Sequence, residues 1–147
     1  MAPVSPAPAQ AAPAGWTTHT VGTLIIAMPS AWKPYPGAPK DQGGWYAGNL
    51  RDPDPGVAII LEDRKGADDL IKALGAATPT SLTPGGQAAD SYQGRVANNP
   101  RLGWLIVFKA PRPDGRTLIV FLSAPSANWP TRLPTLQKIV DSIRFTP

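Results

Sequence analysis

Two carboxylates stand two residues apart in "RDPDPG", residues Arg51 to Gly56. Acids at alternating positions followed by a glycine can open a calcium loop. Such a loop needs its glycine at the sixth position and a bidentate Glu at the twelfth. With Asp52 as position one, the glycine comes at five and Asp63 at twelve. Val57 to Leu61 is a continuous apolar run where the loop should still be liganding. The prolines fix φ and oppose the wrap around an ion. A turn accounts for every residue: Pro at turn positions, Asp bonding backbone amides, Gly for positive φ. The expectation is therefore a turn between two strands, with no metal.

The other chemical residues are sparse. His19 is the single histidine, and there is no cysteine. That excludes disulfides, thiolate nucleophiles and Cys-based metal or iron–sulfur sites. A serine nucleophile would have to use His19 as its base. Ser30, Ser81, Ser91, Ser123, Ser126 and Ser142 all lie outside any G-x-S-x-G elbow. "PGGQAAD" lacks the Lys-Ser/Thr of a phosphate loop. Glu62, Asp63, Asp68 and Asp69 straddle a strand end and a helix start, where they aid solubility and complement the helix dipole. The sequence thus predicts no enzyme, no cofactor and no metal. The aromatics are more telling: Trp32, Tyr35, Trp45 and Tyr46 gather around a Pro/Gly loop. Trp and Tyr at loop edges suit a partner-binding surface, and the same residues also serve as lids over the ends of a small sheet.

The elements that must position these groups follow from periodicity. Residues 1–15 are nearly all Ala, Pro, Ser, Gly and Gln, without charge. They read as a flexible or polyproline-like tether, and residues 16–147 as one domain. Such a tether fits what a cleaved signal peptide or lipid anchor leaves behind; a linker from a larger protein is the competing reading. Strands are expected at Leu24–Met28, Gly44–Leu50, Val57–Leu61, Leu105–Phe108 and Leu118–Leu122, with a hairpin at 81–97 turning at Pro84–Gly86. Leu105–Phe108 and Leu118–Leu122 are apolar at every position, so both faces of these strands are covered. Asp114-Gly115 signals the hairpin between them. Ala67, Leu70, Ile71 and Leu74 make one helical stripe over 65–78, with Asp68 and Asp69 in its first turn and Gly75 ending it. Leu136, Ile139, Val140 and Ile143 make another over 131–145, capped by Thr131. Hairpin links make the sheet mostly antiparallel, in an α+β sandwich with helices on both faces.

Net charge is +4 and uneven. Asp41 to Asp69 holds seven acids and three bases, while Arg95 onward holds eight bases and two acids. No two of those eight bases are adjacent, and no recognition helix carries them. The expectation is solvated charge and no nucleic-acid partner.

"HTVGTLIIAMPSAW" and "DGRTLIVFLSAPSANW" followed by "LQKIVDSIRF" resemble the opening and closing of PsbP-like and DcrB-like domains. The resemblance spans most of Thr18 to Phe145. It implies a central antiparallel sheet between helices. Members of the group include photosystem accessory proteins, envelope lipoproteins of the LpqN type, a yeast Ran-binding import factor and Eag chaperones of type VI secretion. Their shared theme is protein binding or assembly, with no catalytic motif. The resemblance implies a periplasmic or envelope module with a protein partner, touching the membrane only through an N-terminal anchor. A secretion chaperone or a small-ligand-binding protein is the alternative.

Overall fold

The computed structural model describes residues 13–75, 78–96 and 100–146. Residues 1–12 of the expected tether lie outside them. Seven strands form the main sheet: β3 (Lys33–Pro34), β4 (Gly43–Asn49), β5 (Asp52–Glu62), β6 (Thr80–Leu82), β7 (Ala89–Arg95), β8 (Arg101–Phe108) and β9 (Thr117–Pro125). Their order is β3-β4-β5-β9-β8-β7-β6. A second sheet has the order β1-β2-β10, from β1 (Trp16–Val21), β2 (Leu24–Pro29) and β10 (Arg144–Phe145). Every pairing is antiparallel. The expected α+β class and antiparallel sheet are what the chain forms.

Residues alternate between the two sides of a strand. Val57, Ile59 and Leu61 of β5 share one cluster with Trp104, Ile106 and Phe108 of β8 and with Leu118, Val120 and Leu122 of β9. Leu24, Ile26 and Met28 of β2 join it, as do Leu136, Ile139 and Val140 of the helix α2 (Trp129–Asp141). The intervening residues Leu105 and Ile119 pack with Ala67 and Leu74, from the helix α1 (Arg64–Ala73) and its cap. This is why β8 and β9 show no polar alternation.

Helix α1 starts at Arg64 because Asp63 caps it, its Oδ1 accepting from the Gly66 N–H at 2.7 Å. Asp68 and Asp69 therefore fall beyond the first turn, not in it. Gly75 ends the helix as expected, at φ 61°. Gly94 and Gly103 are paired across β7 and β8, beneath Leu74. A Cβ at Gly94 would collide with the Leu74 carbonyl, and one at Gly103 would lie 2.9 Å from Leu74 Cδ2.

Helix α2 begins at Trp129, two residues before the expected Thr131 cap, with Asn128 as N-cap. The Asn128 side chain is turned instead to Asp54, and Pro130 fits the first helical turn. Pro134 then lies inside the helix. The helix ends at Asp141, so Arg144 and Phe145 are strand, paired with Ile25 and Leu24.

The stretch Asp52–Gly56 is not a turn. It is the first half of β5, with Pro53 facing Gly48 and Asp52 facing Asn49 across β4. The reversal is made by Leu50 and Arg51, after a register shift between Tyr46 and Gly48. Positive φ belongs to Gly48 (77°), not Gly56. The backbone amide of Arg51 is held by Asn49 Oδ1 at 3.0 Å, so neither aspartate performs the bonding expected of it.

Candidate functional site

The loop from Tyr35 to Gln42 folds back so that the Tyr35 N–H donates to the Gly44 carbonyl at 2.9 Å. Lys33 pairs with Tyr46 and Pro34 with Trp45. Strand alternation then divides the four aromatic candidates. Trp32 and Trp45 pack against the main core cluster, and Trp45 stacks on His19 with ring centroids 4.2 Å apart. Tyr35 and Tyr46 face the other side, with centroids 5.0 Å apart.

The Tyr35 ring lies over two glycines. A Cβ on Gly44 would be 2.5 Å from Tyr35 Cδ2, and one on Gly56 would be 2.6 Å from Tyr35 Oη. This contact, rather than backbone conformation, is what Gly56 serves. Burial pushes the Tyr35 hydroxyl above the usual tyrosine range, partly offset by the nearby Arg101 guanidinium.

Arg101 anchors the sheet beneath this pair and is buried, at 7% exposure. Its Nη1 donates to Asp52 Oδ1 at 2.6 Å, and its Nη2 to the Pro53 carbonyl at 2.5 Å and Ser123 Oγ at 3.2 Å. Asp54 makes a second polar knot. It accepts from Asn128 Nδ2 at 2.7 Å and from Arg132 Nε at 3.0 Å. The Arg132 hydrogen bond holds its carboxyl below the usual range. The two aspartates of the opening motif thus join β5 to β8 and to α2. The sequence reading gave Arg101 and Ser123 no place in a site. The signal available was a charged residue opening a strand that is otherwise apolar.

His19 makes no side-chain hydrogen bond among the described residues, and burial lowers its pKa. Its ring packs on Trp45. Among the described residues no three His, Asp or Glu side chains gather as a metal-ligand group. A cleft of about 280 Å³ opens between Thr20–Gly22 and the Tyr35–Trp45 segment. Another, of about 530 Å³, lies between Pro84–Gly86 and the end of α2.

No protein-family model and no curated protein sequence matches the chain. Solved structures do. LpqN of Mycobacterium tuberculosis, involved in cell envelope biogenesis, is 19% identical, with a TM-score of 0.59 over 90% of this chain and 91% of that one. The cyanobacterial PsbP of Synechocystis sp. PCC 6803 is 13% identical, with a TM-score of 0.61 over 90% and 94%. The Ran-binding protein Mog1p of Saccharomyces cerevisiae is 10% identical, with a TM-score of 0.51 over 88% and 94%. At these identities the likeness is one of fold. The chain has the PsbP-like fold.

Proposed function

We propose that the chain is a non-catalytic binding or assembly module of the cell envelope, tethered by its N-terminal Ala/Pro segment and contacting a protein partner through Tyr35 and Tyr46. Trp32 and Trp45 support that surface from the opposite side of the same edge. In this reading the α1 layer and the α2 layer close the two faces of a PsbP-like sandwich and leave this edge for contact. The observation that carries the reading is the tyrosine pair. Both rings are half-buried, stand 5.0 Å apart and belong to neither hydrophobic cluster. Tyrosine presents a large, stiff, amphipathic area of the kind that anchors interfaces. LpqN's part in envelope biogenesis supports the location. No helix of the described residues is long and apolar enough to cross a membrane, so attachment would fall to the N-terminal segment.

The test is capture from envelope and soluble fractions with the tagged protein, against a Tyr35→Ala/Tyr46→Ala variant. The expected result is one enriched envelope protein, reduced at least tenfold by the double variant, which keeps the far-ultraviolet circular dichroism of the folded protein at the capture temperature. Equal capture by the variant overturns the surface. Enrichment of apolar secreted segments from the soluble fraction replaces the reading with a secretion chaperone.

A further inference from the structure

The edges of the two sheets are not alike. β3 is two residues long and ends in Pro34. β6 is three residues long, between Pro79 and Pro84. β10 is two residues long and carries Arg144. Shortness, proline and charge are the usual defences of an exposed edge. β1 has none of them: its six residues, Trp-Thr-Thr-His-Thr-Val, include no proline, lysine, arginine or acid.

The hairpin fixes which groups β1 leaves outward. Gly22 (φ 60°) and Thr23 form a two-residue loop, so the closing pair Val21–Leu24 is the hydrogen-bonded kind. Pairs alternate along the ladder, so His19–Ile26 is also bonded, while Thr18–Ala27 and Thr20–Ile25 are not. The N–H and C=O groups of Thr18 and Thr20 therefore point away from β2. Among the described residues none of them has a hydrogen-bond partner there, and both residues are exposed.

Beside this edge lies the cleft of about 280 Å³. Thr20, Val21 and Gly22 form one wall, and Tyr35, Asp41 and Trp45 stand in the other. Asp41 is the one charged residue lining it, and among the described residues its only ion-pair contact is a long 3.8 Å approach from Arg112 Nη2. A strand added to β1 would send alternate side chains inward, beside His19 and Val21, toward this cleft. A carboxylate in a cleft that Trp45 also lines suits a basic side chain, whose stem lies on the indole while its head meets the charge.

We infer that β1 is a docking edge for an extended segment of a partner protein, paired through the main chain of Thr18 and Thr20 and selected by one lysine or arginine seated against Asp41. This rests on the reading of the chain as a protein-binding module. Main-chain pairing supplies affinity and the side-chain pocket supplies specificity.

The test is a backbone-amide NMR titration with a capped peptide of sequence TVTKTVT, and with the same peptide carrying Glu in place of Lys. Shift changes are expected at Thr18, Thr20 and the Trp45 indole, with the Glu peptide at least tenfold weaker. Asp41→Asn should weaken the Lys peptide about tenfold and strengthen the Glu peptide, narrowing the difference between the two. Asn tolerates the positive φ (62°) of that position, so the variant folds. Equal binding of both peptides, or indifference to Asp41→Asn, overturns the inference. So does the absence of any change at Thr18 and Thr20. Slow exchange of these amides before peptide is added means that the chain already covers its own edge, and also overturns it. Shifts that follow protein concentration alone assign the edge to a second copy instead. These outcomes are separate from capture through Tyr35 and Tyr46, so either idea can fail while the other stands.

Discussion

Arg101 and Asp52 form one ion pair with unequal ends. The guanidinium side chain is 9% exposed and the carboxylate 72%. Removing the buried end leaves a hydrated carboxylate and strands only the Pro53 carbonyl and Ser123 Oγ. Arg101→Ala should therefore cost about 1–3 kcal/mol. Asp52→Ala leaves the buried guanidinium without its counter-charge and should cost about 3–5 kcal/mol. Urea denaturation of both variants checks this order. Asp54 makes a different prediction. Its folded-state carboxyl titrates below its unfolded one, chiefly through the hydrogen bond from Arg132. The stability it contributes is present above the unfolded pKa, about 3.9, and is lost as pH falls through the folded value. Thermal melts should show a gap between wild type and Asp54→Asn at pH 6 that closes steadily below about pH 4. A gap that persists at pH 2 would contradict the role given to this carboxylate.

The elements meet through small residues as much as large ones. Gly94 and Gly103 lie side by side in register and form the bed on which the end of α1 rests. Gly103→Ala would set a methyl 2.7 Å from Phe121 Cε1 as well as against Leu74. Overpacking of this kind costs about 1–3 kcal/mol. A fall in melting temperature for both Gly94→Ala and Gly103→Ala, less than additive in the double variant, is the expected signature. Much of this architecture was legible in the sequence. The unbroken apolar runs at Leu105–Phe108 and Leu118–Leu122 announced strands packed on both sides, and the stripes of both helices are where the spacing placed them. Polar contacts between distant segments were not legible. Nothing near Asp52 or Asp54 points to Arg101 or Arg132, 49 and 78 residues away. The prolines around those aspartates imitate a turn, yet β5 accommodates them where β4 has slipped its register. The aromatic quartet was legible as a cluster. Its division into two faces was not read, although Trp45 and Tyr46 are neighbours on a strand and must point apart.

At the scale of the whole molecule, β9 is the middle strand of the larger sheet and contributes to both clusters. Leu122 is fully buried there. Leu122→Ala should cost about 2–5 kcal/mol. Tryptophan fluorescence and far-ultraviolet circular dichroism should report the same lowered midpoint, because one central strand serves every layer. Two separated transitions would show that the small sheet melts by itself.

The pairing of β5 with β9 also has a temporal side. Gly56 meets Ser123 and Glu62 meets Thr117, and β2 receives β10 across a still longer stretch of sequence, Ile25 meeting Arg144. A polypeptide emerging from its N-terminus therefore holds its central strand position empty until most of the domain has been made. Contacts of such long sequence separation delay folding. A chain slow to close in this way completes its core only after β9 and β10 arrive.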